Sequence, residues 1–132
     1  MQRLMLKAKI HRATLMATEL HYEGSIVLDR LLLEAADIAP GEQVHVLNIN
    51  NGARVITYAI AAQAGSGIVS LQGAAARTGQ IGDKLIMLTY ALVAENEMAD
   101  FRSRIVYVDN QNRILPSRPV KNAGTAGAGK TV

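Results

Sequence analysis

The sequence predicts a mainly β domain with short peripheral helices, and three observations predict it. Most large apolar residues fall in short runs that alternate with polar ones or are bounded by Gly, Pro, Asn and Asp, the pattern of strands and their turns. Asn51-Gly52 stands between two such runs, the strongest short-range hairpin signal. Helical signals are confined to brief stretches flanked by caps and breakers.

Taken in order, residues 3–14 mix apolar and basic positions in a β-like run, and Glu19 to Tyr22 extends a second short strand towards a turn at Gly24. Asp29 reads as the N-cap of a short helix from Arg30 to Ala36, halted by Pro40-Gly41. Strand signals run from Gln43 to Ile49 and from Ala53 to Ala62, joined by Asn51-Gly52 as a hairpin. Gly65-Ser66-Gly67 breaks the pattern before a strand from Ile68 to Leu71, and Gly73 to Arg77 forms one helical turn. Lys84 to Val93 reads as a buried strand, Glu95 to Arg102 as a short helix and Arg104 to Val108 as the last strand.

The stretches around Pro40-Gly41-Glu42-Gln43-Val44 and Ile81-Gly82-Asp83-Lys84-Leu85 echo each other, each passing through Gly-acid into a strand. Such a step looks like the repeat of a double-psi β-barrel. Two turns that agree by composition account for it equally, because Gly and Asp are turn residues anywhere.

Composition narrows the classes. A chain of 132 residues fits one domain with its own core. Without cysteine there are no disulfides, thiolate metal sites or thiol nucleophile, and His11, His21 and His45 show no ligand-like spacing, so no metal is expected. No apolar run approaches the ~20 residues that span a bilayer, and Arg3, Lys7, Lys9 and Arg12 interrupt any secretory signal. A soluble cytoplasmic protein without a membrane partner is expected. Residues 1–114 hold eleven basic and eleven acidic side chains, so the net charge of +3 comes from Arg118, Lys121 and Lys130. With a neutral body and five aromatics, the chain offers no basic footprint or stacking platform for nucleic acid.

From Pro116 onward almost no large apolar residue remains, so residues 116–132 are expected to form a disordered tail. Gly124-Thr125-Ala126-Gly127-Ala128-Gly129-Lys130-Thr131 matches the phosphate-loop pattern literally, but that loop needs a feeding strand and a following helix. Only Val132 follows.

The chemistry is carried by His21-Tyr22-Glu23-Gly24-Ser25. A Gly-Ser pair is common by chance, and Gly65-Ser66 is a second one in the same chain. What sets Gly24-Ser25 apart is its company: Met5-Leu6-Lys7-Ala8-Lys9-Ile10-His11-Arg12-Ala13-Thr14 upstream, then Asn51-Gly52-Ala53-Arg54-Val55-Ile56-Thr57-Tyr58-Ala59 and Gly73-Ala74-Ala75-Ala76-Arg77 downstream. In order and spacing these blocks resemble the pyruvoyl-dependent aspartate 1-decarboxylases, over a domain of residues 1–115.

The resemblance implies a double-psi β-barrel assembled as a homotetramer, with its active sites at subunit interfaces. It implies self-cleavage between Gly24 and Ser25 into a β chain, 1–24, and an α chain, 25–132, giving four of each per assembly. Ser25 becomes a pyruvoyl group, the covalent cofactor, which forms a Schiff base with L-aspartate. Decarboxylation leaves two electrons on Cα that no ordinary side chain can delocalise, so such a carbonyl is needed. The products are β-alanine and carbon dioxide, feeding pantothenate and coenzyme A biosynthesis. Glycine at 24 is expected because it opens backbone conformations closed to other residues and leaves its carbonyl accessible. By resemblance Thr57 donates to the oxyanion at that carbonyl and also binds substrate, while Lys9, His11 and Arg54 receive the two carboxylates, Arg54 as a bidentate clamp. Tyr58 is the proton donor, Gly73, Ala74 and Ala75 line the substrate through their backbone, and Tyr22 and Gln72 support the site. Gly65-Ser66 lacks these flanking blocks and is expected to stay intact.

On an ideal strand Arg54, Ile56 and Tyr58 share one face and Thr57 the other. If Thr57 and Tyr58 serve one pocket, the strand bulges or the pocket lies between subunits. Gln72 departs from the family's asparagine, adding a methylene that displaces a positioned hydrogen bond by roughly an ångström. That departure keeps a rival open, a non-catalytic double-psi barrel serving as a binding module, or a degenerate paralogue.

Overall fold

The computed structural model describes residues 1–115; the tail expected to be disordered and the literal phosphate-loop match lie outside the described residues. The strands are β1 (Gln2–Thr14), β2 (Ala17–Glu19), β3 (Ser25–Asp29), β4 (Gln43–Asn48), β5 (Arg54–Ala62), β6 (Val69–Gln72), β7 (Lys84–Ala94) and β8 (Arg104–Tyr107), with one α-helix, α1 (Arg30–Ala36), between β3 and β4. Short 3-10 turns cover Gly73–Thr78 and Glu95–Glu97. The mainly β class therefore holds.

The strands form one ladder in the order β2-β6-β3-β5-β4-β7-β1-β8. β1 and β2 are nearly at opposite ends of that order, yet only Leu15 and Met16 separate them. Those two residues are held where they cross: Leu15 N–H donates to Asp83 O and Met16 N–H to Val69 O, both at 2.8 Å. The chain thus carries the open ladder back towards its start, consistent with a barrel. Ile10, Leu15, Ile26, Leu28, Leu71 and Met87 fill the interior with no exposure at all.

Several elements differ from the sequence reading. The second strand covers Ala17–Glu19 rather than Glu19 to Tyr22, because its partner β6 reaches only as far as the Glu19–Gln72 pair. β3 had no counterpart in the sequence reading. Helix α1 ends before Pro40: Asp37 takes the left-handed conformation (φ 56°), and Ile38 N–H returns to Leu33 O at 2.8 Å, a Schellman-type stop built without glycine. The helix expected over Glu95 to Arg102 is a single 3-10 turn, closed by Ala94 N–H donating to Glu97 Oε1 at 3.0 Å. β7 is buried on one face only, and Leu92 on the other is 64% exposed.

Asp29 does more than the N-cap role expected of it. Its carboxylate is buried and accepts from Leu31 N–H at 2.9 Å, Gly65 N–H at 3.0 Å and Gly67 N–H at 2.9 Å, so it pins the Gly65–Gly67 turn to the end of β3. Burial pushes its pKa up, but the three backbone donors and the charge of Arg113 outweigh that, and the net shift is downward. A carboxylate held below its unfolded pKa stabilises the fold above that value, and the contribution is lost as pH falls through the folded value. Asp29→Ala should cost about 2 kcal/mol or more, since a cap and two further charge-assisted bonds go together. Urea melts at neutral pH read this loss directly, and the wild-type advantage should shrink in strong acid.

Candidate active site

Ser25 is the first residue of β3, and the ladder grips that strand on both flanks. Ser25 pairs with Gln72 of antiparallel β6, and Ile26 pairs with Ala59 of parallel β5. The Ser25 side chain is fully buried, and its Oγ donates to Gln72 Oε1 at 3.3 Å. Immediately upstream, Leu20 to Gly24 are exposed and outside any strand. The junction is thus rigid on its serine side and open to solvent on its glycine side. The second Gly-Ser pair is built otherwise: Gly65 and Ser66 sit in an exposed turn, and Ser66 Oγ accepts from Ile68 N–H at 3.3 Å.

The parallel register with β5 begins at the Ile26–Ala59 pair, so Tyr58 and Thr57 are the two β5 residues directly before the partner of Ile26. β5 keeps strict alternation against β4, with Gln43 opposite Tyr58, Val44 opposite Thr57 and His45 opposite Ile56. β5 therefore does not bulge. Thr57 lies on the face of buried Ala59, whereas Arg54, Ile56, Tyr58 and Ile60 share the outer, exposed face.

Gly73 closes the site from the other side. It has φ +66°, and a β-carbon built on it would lie 2.7 Å from Gly24 Cα, Gly24 N and Tyr22 O. Gly24 itself is not in the left-handed region, and its nearest obstacle to a β-carbon is Gln72 O at 3.9 Å. At the junction the position that leaves no room for a side chain in this conformation is therefore Gly73 rather than Gly24. Gly73 and Ala75 are buried and Ala74 is exposed.

Tyr22, Gly24, Ser25, Gln72 and Gly73 meet at one junction, and Thr57 and Tyr58 lie on β5 just before its first pair with β3. Lys9, His11 and Arg54 are not. Pairing runs Arg54–Leu47–Ile86–His11–Tyr107 across five strands, so His11 and Arg54 share a level and a face but stand three inter-strand steps apart, about 14 Å. The His11 ring meets Tyr107 edge-on at 5.6 Å. Lys9 is half-buried on the same outer face as His11, and among the described residues neither Lys9 nor Arg54 makes an ion pair. Lys9 and His11 on β1 and Arg54 on β5 lie on the outer face in two regions of one sheet, Arg54 exposed and the other two half-buried. Among the described residues no group of three or more His, Asp or Glu could hold a metal ion, and no helix is long and apolar enough to cross a membrane.

The β3 strand was the element hidden from sequence reasoning, and its signal is the apolar run Ile26-Val27-Leu28 directly after the serine. The role of Gly73 left no local signal, since what it must avoid is backbone some fifty positions earlier in the chain.

Comparison with known proteins agrees with this geometry. The profile of the family described as aspartate decarboxylase matches residues 1–115. An aspartate 1-decarboxylase of Acaryochloris marina is 52% identical over 125 residues, covering 95% of this chain and 95% of its own. That of Syntrophobacter fumaroxidans is 55% identical over 115 residues, covering 87% and 93%. One from Albidiferax ferrireducens is 45% identical and covers 98% of each chain.

Proposed function

The chain belongs to the aspartate decarboxylase family and is an enzyme that decarboxylates aspartate; we propose that it does so after cutting its own backbone between Gly24 and Ser25. The observation that carries this reading is the junction itself, a buried serine hydroxyl on a doubly paired strand directly after an exposed glycine.

In the cut, Ser25 Oγ attacks the Gly24 carbonyl carbon, the C–N bond breaks, and the hydroxyl proton passes to the freed amine, leaving an ester. Loss of the Ser25 α-proton then breaks the Cβ–Oγ bond, releasing Gly24 as a carboxylic acid and residue 25 as dehydroalanine. One water replaces the nitrogen, which leaves as ammonia, and a pyruvoyl terminus results. Gln72 Oε1 orients the attacking hydroxyl, and Thr57, on the β5 stretch just before the partner of Ile26, donates to the oxyanion. The residues fit the group, because residue 25 is buried, held on both flanks and beside Tyr58.

The pyruvoyl carbonyl supplies the electron sink that the α-amino acid lacks. Tyr58 delivers the proton to the former α-carbon, giving β-alanine for pantothenate synthesis. Gly73, Ala74 and Ala75 bound the substrate, with Tyr22 beside the cut. Arg54, Lys9 and His11 receive the two carboxylates. Because Arg54 stands about 14 Å from His11 within one chain, with Lys9 two residues from His11 on β1, the pocket is completed across a boundary between copies. A cytoplasmic homotetramer of double-psi barrels, four α and four β chains, supplies that boundary. β5 without a bulge supports the same arrangement, since Thr57 and Tyr58 then reach the site from opposite faces.

Intact mass under denaturing conditions tests the reading. Two species are expected, the larger lacking an N-terminal amine, together with β-alanine formed from L-aspartate. A single uncut chain in aged, active protein overturns it, and a cut chain without product marks a non-catalytic barrel.

A further inference from the structure

The junction has two arms, and they are held differently. Downstream, Ser25 is fixed by its pairing with Gln72 of β6, by its hydroxyl on Gln72 at 3.3 Å and by Ile26, which is paired with β5 as well as β6. Upstream, Leu20 to Gly24 are exposed and in no strand. What meets that upstream arm is the α-carbon of Gly73, so close that a methyl group there would stand 2.7 Å from three backbone atoms, Gly24 N, Gly24 Cα and Tyr22 O. Backbone atoms cannot swing aside as a side-chain tip can. Ordinary contact needs about 3.5 Å or more, so a methyl would displace Gly24 by roughly 0.8 Å relative to a serine that cannot follow.

We infer that Gly73 is a positioning residue for self-cleavage: its missing side chain lets the Gly24 peptide seat against the 3-10 turn, within reach of the Ser25 hydroxyl that the adjoining Gln72 orients. Gln72-Gly73 is then one cradle, the first residue holding the nucleophile and the second the acyl group. This rests on the self-cutting reading and adds a requirement to it, at a glycine other than the one that is cut.

The experiment follows cutting by intact mass in freshly purified chains. A misplacement approaching an ångström costs about 100-fold in rate, so Gly73→Ala should cut at least about 100-fold more slowly than wild type, and Gly24→Ala should be slowed less. Gly79→Ala controls for general damage, because its β-carbon would meet only side-chain atoms, Leu15 Cδ2 at 2.9 Å, Asn48 Nδ2 at 3.1 Å and Leu71 Cδ1 at 3.4 Å, and no backbone of the Tyr22–Gly24 arm. Melting by circular dichroism of each substitution in a Ser25→Ala background measures folding with no cutting possible. The assignment stands if Gly73→Ala melts cooperatively and stays uncut while Gly79→Ala, destabilised as much, is cut. It is overturned if folded Gly73→Ala is cut at the wild-type rate, or if cutting falls in step with melting temperature in both. Should Gly73→Ala fail to fold, Gly73→Asn takes its place, since asparagine tolerates positive φ but keeps the β-carbon; wild-type cutting there overturns the assignment and its loss supports it. A wild-type chain that never cuts removes the underlying reading instead, which separates the two failures.

Discussion

Ser25→Ala should leave one uninterrupted chain of 14.2 kDa and no detectable β-alanine from L-aspartate, however long the protein is kept. The effect is expected to be total because the hydroxyl oxygen is both the nucleophile for the cut and the leaving group whose elimination converts residue 25 to dehydroalanine; no neighbour can replace it in both tasks. The fold should survive. Alanine fills nearly the same buried space, and the one side-chain bond lost, to Gln72 Oε1 at 3.3 Å, ends on a half-buried amide that can find water, so the cost should stay near 1 kcal/mol. Mass spectrometry, circular dichroism and a product assay on one preparation separate these statements. Two fragments from Ser25→Ala would end the self-cutting account.

Tyr58→Phe should behave in the opposite way, with the chain cut and turnover lost. Tyr58 is 38% exposed on the outer face of β5, directly before the partner of Ile26, so removing its hydroxyl leaves the strand pairing and the serine untouched. A positioned general acid contributes typically 10²–10⁴-fold, and kcat should fall within that range while KM changes little. A rise in KM at constant kcat would instead make Tyr58 a binding group. An uncut Tyr58→Phe chain would assign the phenol to maturation rather than to turnover.

Much of the fold was legible wherever the governing contacts are local. Asp29 caps the helix that its position suggested, and Asn51-Gly52 joins two antiparallel strands, because a cap or a tight turn is decided within a few residues. β3 was hidden because it is held by a parallel partner and an antiparallel one, both distant in sequence, while the Gly24 turn in front of it gave the stronger local cue. The site divides along the same line. The junction and its companions could be proposed from residue types in order, but two facts could not. The separation of His11 from Arg54 depends on which strands intervene. The need for glycine at 73 depends on where a remote backbone passes. At Gly24 itself the resting backbone is outside the left-handed region and open around the α-carbon; the crowding at the junction is on the other partner.

The long ladder that β1 makes with β7, running from Gln2 to Thr14, has a consequence for the enzyme's life history. A cut after Gly24 turns an interior strand into a separate peptide, retained by burial and hydrogen bonding alone. Before the cut, the folding of each chain is unimolecular; afterwards two species must find each other, so regaining even the protomer fold should depend on protein concentration. On the self-cutting proposal, reversibility would be given up for activity at one irreversible event.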